Sequence, residues 1–219
     1  MAERPVRPAA TVVVARPARP RGDGVEVLML RRAPASRFVP GFAVFPGGAV
    51  DPGDEELARA WFGDAREEAR ACAVRELAEE AGLVATAHGV VEARSRRPRA
   101  PGLPPPRPGD LPEIGRWIAP EFIAVRFDAR FYALSAGDAD MAPEPDGTEI
   151  VGAWWAMPRD VLEASAREEF PLAWPTRVTL EAVAGCRTVA EVLALKVPQV
   201  PPSPEAVPEA MLAPPEERA

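Results

Sequence analysis

Phe45-Pro46-Gly47-Gly48-Ala49-Val50-Asp51-Pro52-Gly53-Asp54 opens the stretch that decides the fold, and Arg75-Glu76-Leu77-Ala78-Glu79-Glu80-Ala81-Gly82-Leu83 closes it. The double glycine beside a proline allows a tight backbone turn. The run Ala65 to Ala81 has helical character and ends at Gly82. Within it, Glu76, Glu79 and Glu80 stand at offsets of zero, three and four, which share one face at ~100° per residue. Like charges at that spacing repel by about a few tenths of a kcal/mol per pair. A solvated face would mix in lysines or arginines. Hard carboxylate oxygens with so few cations nearby suit Mg2+ or Mn2+.

The same stretch resembles the Nudix box: Gly, five residues, Glu, seven residues, then Arg-Glu-apolar-x-Glu-Glu-x-Gly-apolar. Gly48 matches the first position, and Arg75, Glu76, Leu77, Glu79, Glu80, Gly82 and Leu83 match the second half. Two departures stand out. Asp54 replaces the first Glu, and twenty residues rather than seven separate it from Arg75. The extra residues, 55–67, are expected to form a helix from Glu55 to Phe62, stopped by Gly63, beside the entrance to the site. The resemblance implies an α/β fold, a mixed sheet in an α/β/α sandwich. It also implies metal binding by Glu76, Glu79 and Glu80, with a backbone carbonyl at Gly47 or Gly48. Arg75 would orient a ligand carboxylate through Asp54, and a box glutamate or Glu149 would take a proton from the attacking water. Glu168 and Glu169 stand behind Glu149 as further candidates.

A second pattern precedes the box. Arg32-Ala33, Arg37, Gly41 and Phe45-Pro46-Gly47-Gly48 resemble, at every spacing, the accessory signature of coenzyme A diphosphatases within that family. It implies substrate contacts from Arg32, Arg37, Gly41, Phe45 and Gly47. The chemistry is compatible, because arginine grips phosphate with a bidentate fork. The alternative for Arg32 and Arg37 is solvation, or pairing with Asp51 or Asp54.

Composition narrows the classes. A length of 219 residues suits one domain with appendages, and 47% apolar residues supply a core. A net charge of −7 argues against broad nucleic-acid binding. The arginines of 92–112 lack interleaved aromatics, so that segment reads as a solvated or ligand-covering loop. Two cysteines make no disulfide framework, and the single histidine, His88, leaves little room for a Ser-His hydrolase or a zinc site. Cys72 reads as a small buried residue. The segments 1–9 and 198–219, the latter proline-rich, are expected to be loose tails around a domain spanning 10–197. With no long apolar run, the expectation is a cytoplasmic enzyme with no membrane partner, with a homodimer as one candidate assembly and the oligomeric state left open.

Strands are expected at Ala10 to Ala15, Val25 to Leu30, Phe42 to Phe45, Val84 to Val91 and Glu149 to Trp155. Order resumes at Trp117 after the loop. Phe122 to Leu134 reads as a half-buried strand, with Ile123, Val125, Phe127, Phe131 and Ala133 on one face. Trp154 and Trp155 alternate, which predicts one facing the core and the other facing solvent or substrate. Helices are expected from Asp160 to Ala166, from Pro175 to Ala184, and from a Thr188/Glu191 capping box to about Lys196. The functional expectation is metal-dependent hydrolysis of a diphosphate in a nucleoside-diphosphate-linked substrate. Coenzyme A or an acyl-coenzyme A is favoured. ADP-ribose or a dinucleoside polyphosphate fits the box equally, and a non-catalytic nucleotide sensor is the alternative of another class.

Overall fold

The computed structural model describes residues 5–19, 23–36, 39–93, 96–98, 102–137, 140–207 and 209–212. Its frame is a seven-stranded mixed sheet. Strand β1 (Arg7–Pro17) is central. It runs parallel to β8 (Phe127–Ser135) and antiparallel to both β2 (Val25–Arg32) and β4 (Gly47–Ala49). Strand β2 also pairs with β3 (Ala43–Val44) and β9 (Ile150–Ala156), and β7 (Glu113–Ile118) pairs with β8. A separate hairpin joins β5 (Leu83–Thr86) to β6 (Gly89–Glu92).

Period-two alternation explains the layering. Ala10, Val12 and Val14 of β1, Leu28 and Leu30 of β2, and Tyr132 and Leu134 of β8 face one core. Val13, Ala15, Val27, Met29, Phe131 and Ala133 face the other. Strands buried on both faces read as continuous apolar runs. Helix α2 (Glu68–Ala81) closes the first core with Ala69, Cys72, Ala73, Leu77 and Ala81. Helices α3 (Pro158–Ala166), α4 (Trp174–Val183) and α5 (Val189–Leu193) close the second, through Val161, Leu180, Val183 and Val192. The result is the expected α/β/α sandwich.

Several boundaries move. Strand β1 starts at Arg7, inside the expected N-terminal tail, because Arg7 to Ala15 pair in register with Phe127 to Ser135. Helix α1 (Pro52–Phe62) starts before Glu55, because Asp51 caps it and Pro52 takes the first turn, where a missing N–H costs nothing. It does not stand apart as an accessory helix: Ala58 is fully buried and Trp61 packs on the first core. The run 65–81 begins as a 3-10 turn at Ala65–Glu67 and becomes α-helical at Glu68. Ile123 and Val125 fall outside β8, in a turn after Pro120, and Val125 is exposed. Strand β8 is buried on both faces from Phe131 to Leu134, while Phe127 to Arg130 are half-buried. Order resumes at Glu113, before Trp117. Trp155 packs on the first core and Trp154 on the second, so neither faces solvent alone. Helix α5 stops at Leu193, and Glu191 reaches Arg187 N–H rather than that of Thr188. The proline-rich segment is held as far as residue 212: Trp174 Nε1 donates to Val200 O (2.8 Å), and Ala124 N–H donates to Met211 O (3.0 Å). No helix among the described residues is long and apolar enough to cross a membrane.

Candidate active site

The site forms where β4 meets the last turns of α2. Strand β4 lies so close to β1 that a Cβ at Gly47 would sit 2.4 Å from Ala10 O. Only glycine allows that approach. One residue on, a Cβ at Gly48 would sit 2.2 Å from Glu76 Oε1. The absent side chain at position 48 is therefore the space into which the Glu76 carboxylate lies.

Arg75 organises the outer edge. Its guanidinium holds Asp54 with two bonds, Nε to Oδ1 (2.8 Å) and Nη2 to Oδ2 (3.0 Å). Its Nη1 donates to Glu76 Oε1 and Glu79 Oε2, each at 2.9 Å. Asp54 is fully buried and also accepts from Asp51 N–H (2.8 Å), as the third-position member of the α1 capping box. The insertion thus carries Asp54 into the first turn of a helix that packs on α2. Bonding to Asp54 raises the already high Arg75 pKa further, so this arginine is a permanent cation.

Glu80 forms the inner edge and is 5% exposed. Its Oε2 accepts from Gly47 N–H (3.0 Å), and its Oε1 lies 3.7 Å from Arg32 Nη1. Burial, and then the neighbouring Glu76 charge, pushes its carboxyl up to about 8. Burial likewise raises Glu76, against the opposing pull of Arg75. Two carboxylates at i and i+4, both disfavouring their charged forms, make an oxygen-rich place where an added cation would be welcome. That donor chemistry fits a hard divalent metal ion. The third expected ligand is placed differently. The Glu79 carboxylate is 49% exposed and held by Arg75. Among the described residues, no three His, Cys, Asp or Glu side chains converge on one point a metal could take. The Gly48 carbonyl, also expected as a ligand, accepts from the Cys72 thiol (3.6 Å). Burial drives that thiol far above its ordinary pKa, which rules out a thiolate nucleophile.

The accessory residues separate. Arg32 is brought to the carboxylates: its Nη2 lies 3.5 Å from Glu149 Oε2, on the opposite side from Glu80. It pairs with neither Asp51 nor Asp54. Gly41 occupies a turn at φ +71°, the left-handed region that favours glycine. Phe45, expected to touch substrate, is 3% exposed and buried in the second core, where it supports the turn. In this arrangement the Gly47 N–H serves Glu80. Arg37 lies outside the described residues. Glu168 and Glu169 sit beyond α3, where Glu169 pairs with Arg167.

One contributor lies outside the expected set. Asp146 caps the turn before β9, accepting from Thr148 N–H, Glu149 N–H (2.8 Å) and Ile150 N–H (3.1 Å), and so fixes the Glu149 backbone. The Asp-Gly-Thr sequence is a turn signal that points to it.

Comparison with known proteins shows the family and the fold. The NUDIX domain family matches residues 5–173. A NUDIX hydrolase structure from Alicyclobacillus acidocaldarius is 31% identical, covering 90% of this chain and 100% of that one, with a TM-score of 0.74. The NUDIX domain of Shewanella oneidensis NrtR, solved with ADP ribose, is 14% identical over 81% of this chain and 86% of that one, with a TM-score of 0.50. At that identity it shows the shared fold alone. A putative nudix hydrolase 7 from Caenorhabditis elegans is 48% identical over 63 residues, which are 29% of this chain and 19% of that protein. The chain thus matches about a fifth of that relative's length. The chain belongs to the Nudix family. Like the Alicyclobacillus protein, it carries the NUDIX hydrolase fold. Nudix hydrolases generally use divalent metal ions.

Proposed function

We propose that this enzyme hydrolyses the diphosphate of coenzyme A or an acyl-coenzyme A, releasing 3′,5′-ADP and phosphopantetheine or its acylated form, with Mg2+ or Mn2+. The observation that carries the hydrolytic reading is the pair Glu76, half-buried, and Glu80, buried, with the Glu76 carboxylate lying against Gly48 and Glu80 facing the Arg32 guanidinium. Glu76 and Glu80 would hold the metal, and Glu79 would join them once released from Arg75. Bound there, the ion would screen phosphate charge and acidify a water. Arg75, locked by Asp54, keeps Glu76 aligned. Arg32 presents its fork to the diphosphate. Glu149, held by Asp146 and largely exposed, accepts the proton. The coenzyme A choice rests on the spacing of Arg32, Arg37 and Gly41 ahead of Phe45-Pro46-Gly47-Gly48.

A second reading, a diphosphatase of ADP-ribose or dinucleoside polyphosphates, fits the same placement of Arg32. Arg32 is drawn into the carboxylate site, where it would meet a diphosphate common to ADP-ribose, dinucleoside polyphosphates and coenzyme A alike. The deciding experiment incubates the protein with coenzyme A, acyl-coenzyme A, ADP-ribose and dinucleoside polyphosphates, each with Mg2+ or Mn2+, and identifies products by mass. Release of 3′,5′-ADP supports the first reading. Turnover of ADP-ribose alone replaces it with the second.

A further inference from the structure

Helix α2 carries all three box glutamates, yet its last turn holds no lysine or arginine. The carbonyls exposed at its end are met from elsewhere in the chain. Glu144 N–H donates to Ala81 O (2.9 Å), and Ala93 N–H donates to Gly82 O (2.7 Å). Arg96 supplies the cation: its Nη1 donates to Glu79 O (2.8 Å). Its Nη2 donates to Pro145 O (2.8 Å) and Glu144 O (3.3 Å). One planar fork thus ties the end of the box helix to the segment that leads into Glu149. A cation at the carbonyl end of a helix is favoured by the helix dipole. Arg96 itself stands at φ +49°, a conformation that L side chains rarely adopt, so these contacts must hold it there.

The contacts close a ring. From Pro145 the chain enters the Asp146 turn, which fixes the Glu149 backbone. The Glu149 carboxylate reaches Arg32, and Arg32 reaches Glu80 on α2. Without the Arg96 fork, the hydrogen bond left between the Glu149 segment and the helix end, among the described residues, is that from Glu144 N–H to Ala81 O.

We propose that Arg96 is a positioning residue, which sets the distance between Glu149 and the box glutamates by clamping the 144–145 segment to the end of α2. This rests on reading Glu80 and Glu149 as members of one site. Lysine would keep the charge at the helix end but could not bridge two segments with a fork.

The test combines hydrogen exchange with a double-mutant cycle, using the full chain and the best substrate of the panel above. Arg96→Ala should speed exchange at the Thr148, Glu149 and Ile150 amides at least tenfold, and leave those of Val12 and Tyr132 unchanged. It should lower kcat roughly tenfold with KM within twofold, since small misplacements of a catalytic group are costly. Arg96→Lys should restore the melting temperature but less than half of the lost kcat. In a Glu149→Gln background, Arg96→Ala should cost less than a further twofold, because its effect runs through Glu149. Unchanged exchange at 148–150, or full additivity of the two substitutions, overturns the proposal. If Glu149→Gln alone keeps full activity, the reading of Glu149 fails, and exchange at 148–150 then decides the clamp by itself.

Discussion

Glu80→Gln in the chelated protein tests the site most directly. Glu80 is almost wholly buried, and its carboxyl is pushed up to about 8 by burial and by Glu76. In an unfolded chain the same group titrates near ~4.3. A carboxyl raised on folding binds its proton more tightly in the native state. Its stabilising contribution is therefore complete below the unfolded value and is lost as pH rises through the folded value. From pH 5 to pH 7 the loss spans about two units at ~1.36 kcal/mol each, on the order of 2–3 kcal/mol. For a chain of this length that corresponds to roughly 5–10 °C in Tm. The carboxylates held low elsewhere, Asp64, Asp110, Asp128, Asp146 and Glu205, lose their contributions only as pH falls towards and below their ordinary range, outside this window. Glutamine keeps an acceptor for Gly47 N–H and gives up only the attraction to Arg32. Thermal melts in chelator at pH 5, 6, 7 and 8 should show the wild-type Tm falling more steeply than the mutant Tm, which keeps only the slope from the raised Glu76 carboxyl, with the mutant higher at pH 8. Excess Mn2+ should raise the wild-type Tm, by about 2.7 kcal/mol of stability at a hundredfold excess over Kd, and leave the mutant nearly unmoved. Parallel pH curves for the two proteins, or a mutant that melts below wild type at pH 8, would refute the reasoning.

Other expectations follow from the same geometry. Gly48→Ala should fold with a Tm within a few degrees of wild type, because its Cβ displaces the end of the flexible Glu76 side chain rather than backbone; kcat should fall at least tenfold. Arg75→Ala leaves the fully buried Asp54 without its partner and should cost about 3–5 kcal/mol in urea unfolding, since an uncompensated buried charge is expensive. Arg32→Ala should lower kcat/KM for coenzyme A and for 3′-dephospho-coenzyme A by the same factor, as its guanidinium stands beside the box carboxylates; kinetics with both substrates measure this. Replacing 55–67 by a Gly/Ser link should sharply lower the Tm, measured calorimetrically, because it removes Ala58 and Trp61 from the first core.

Sequence alone determined the framework. The turn at Gly47-Gly48, the glutamates at offsets of three and four, and the stop at Gly82 are local facts of backbone geometry and helical period. They fix a glycine turn followed by a helix with an acidic face wherever the chain folds. Continuous apolar runs at Val12 to Ala15 and Val27 to Leu30 likewise predict strands, since burial on both faces removes the polar alternation. Tertiary structure decided the rest, because each remaining assignment depends on a partner distant in sequence. Phe45 lies in a motif yet enters the core, as β3 and Leu172 close over that side of the sheet. Glu79 shares a helical face with Glu76, but Arg75 ties it outward. Arg32 meets Glu80 across 48 residues only because β2 ends beside α2. Arg96 reads as one arginine among several in a proline-rich stretch. Its role appears only when Glu79 O, Glu144 O and Pro145 O arrive at its fork from two separate elements, a coincidence of packing that no local pattern of residue types encodes.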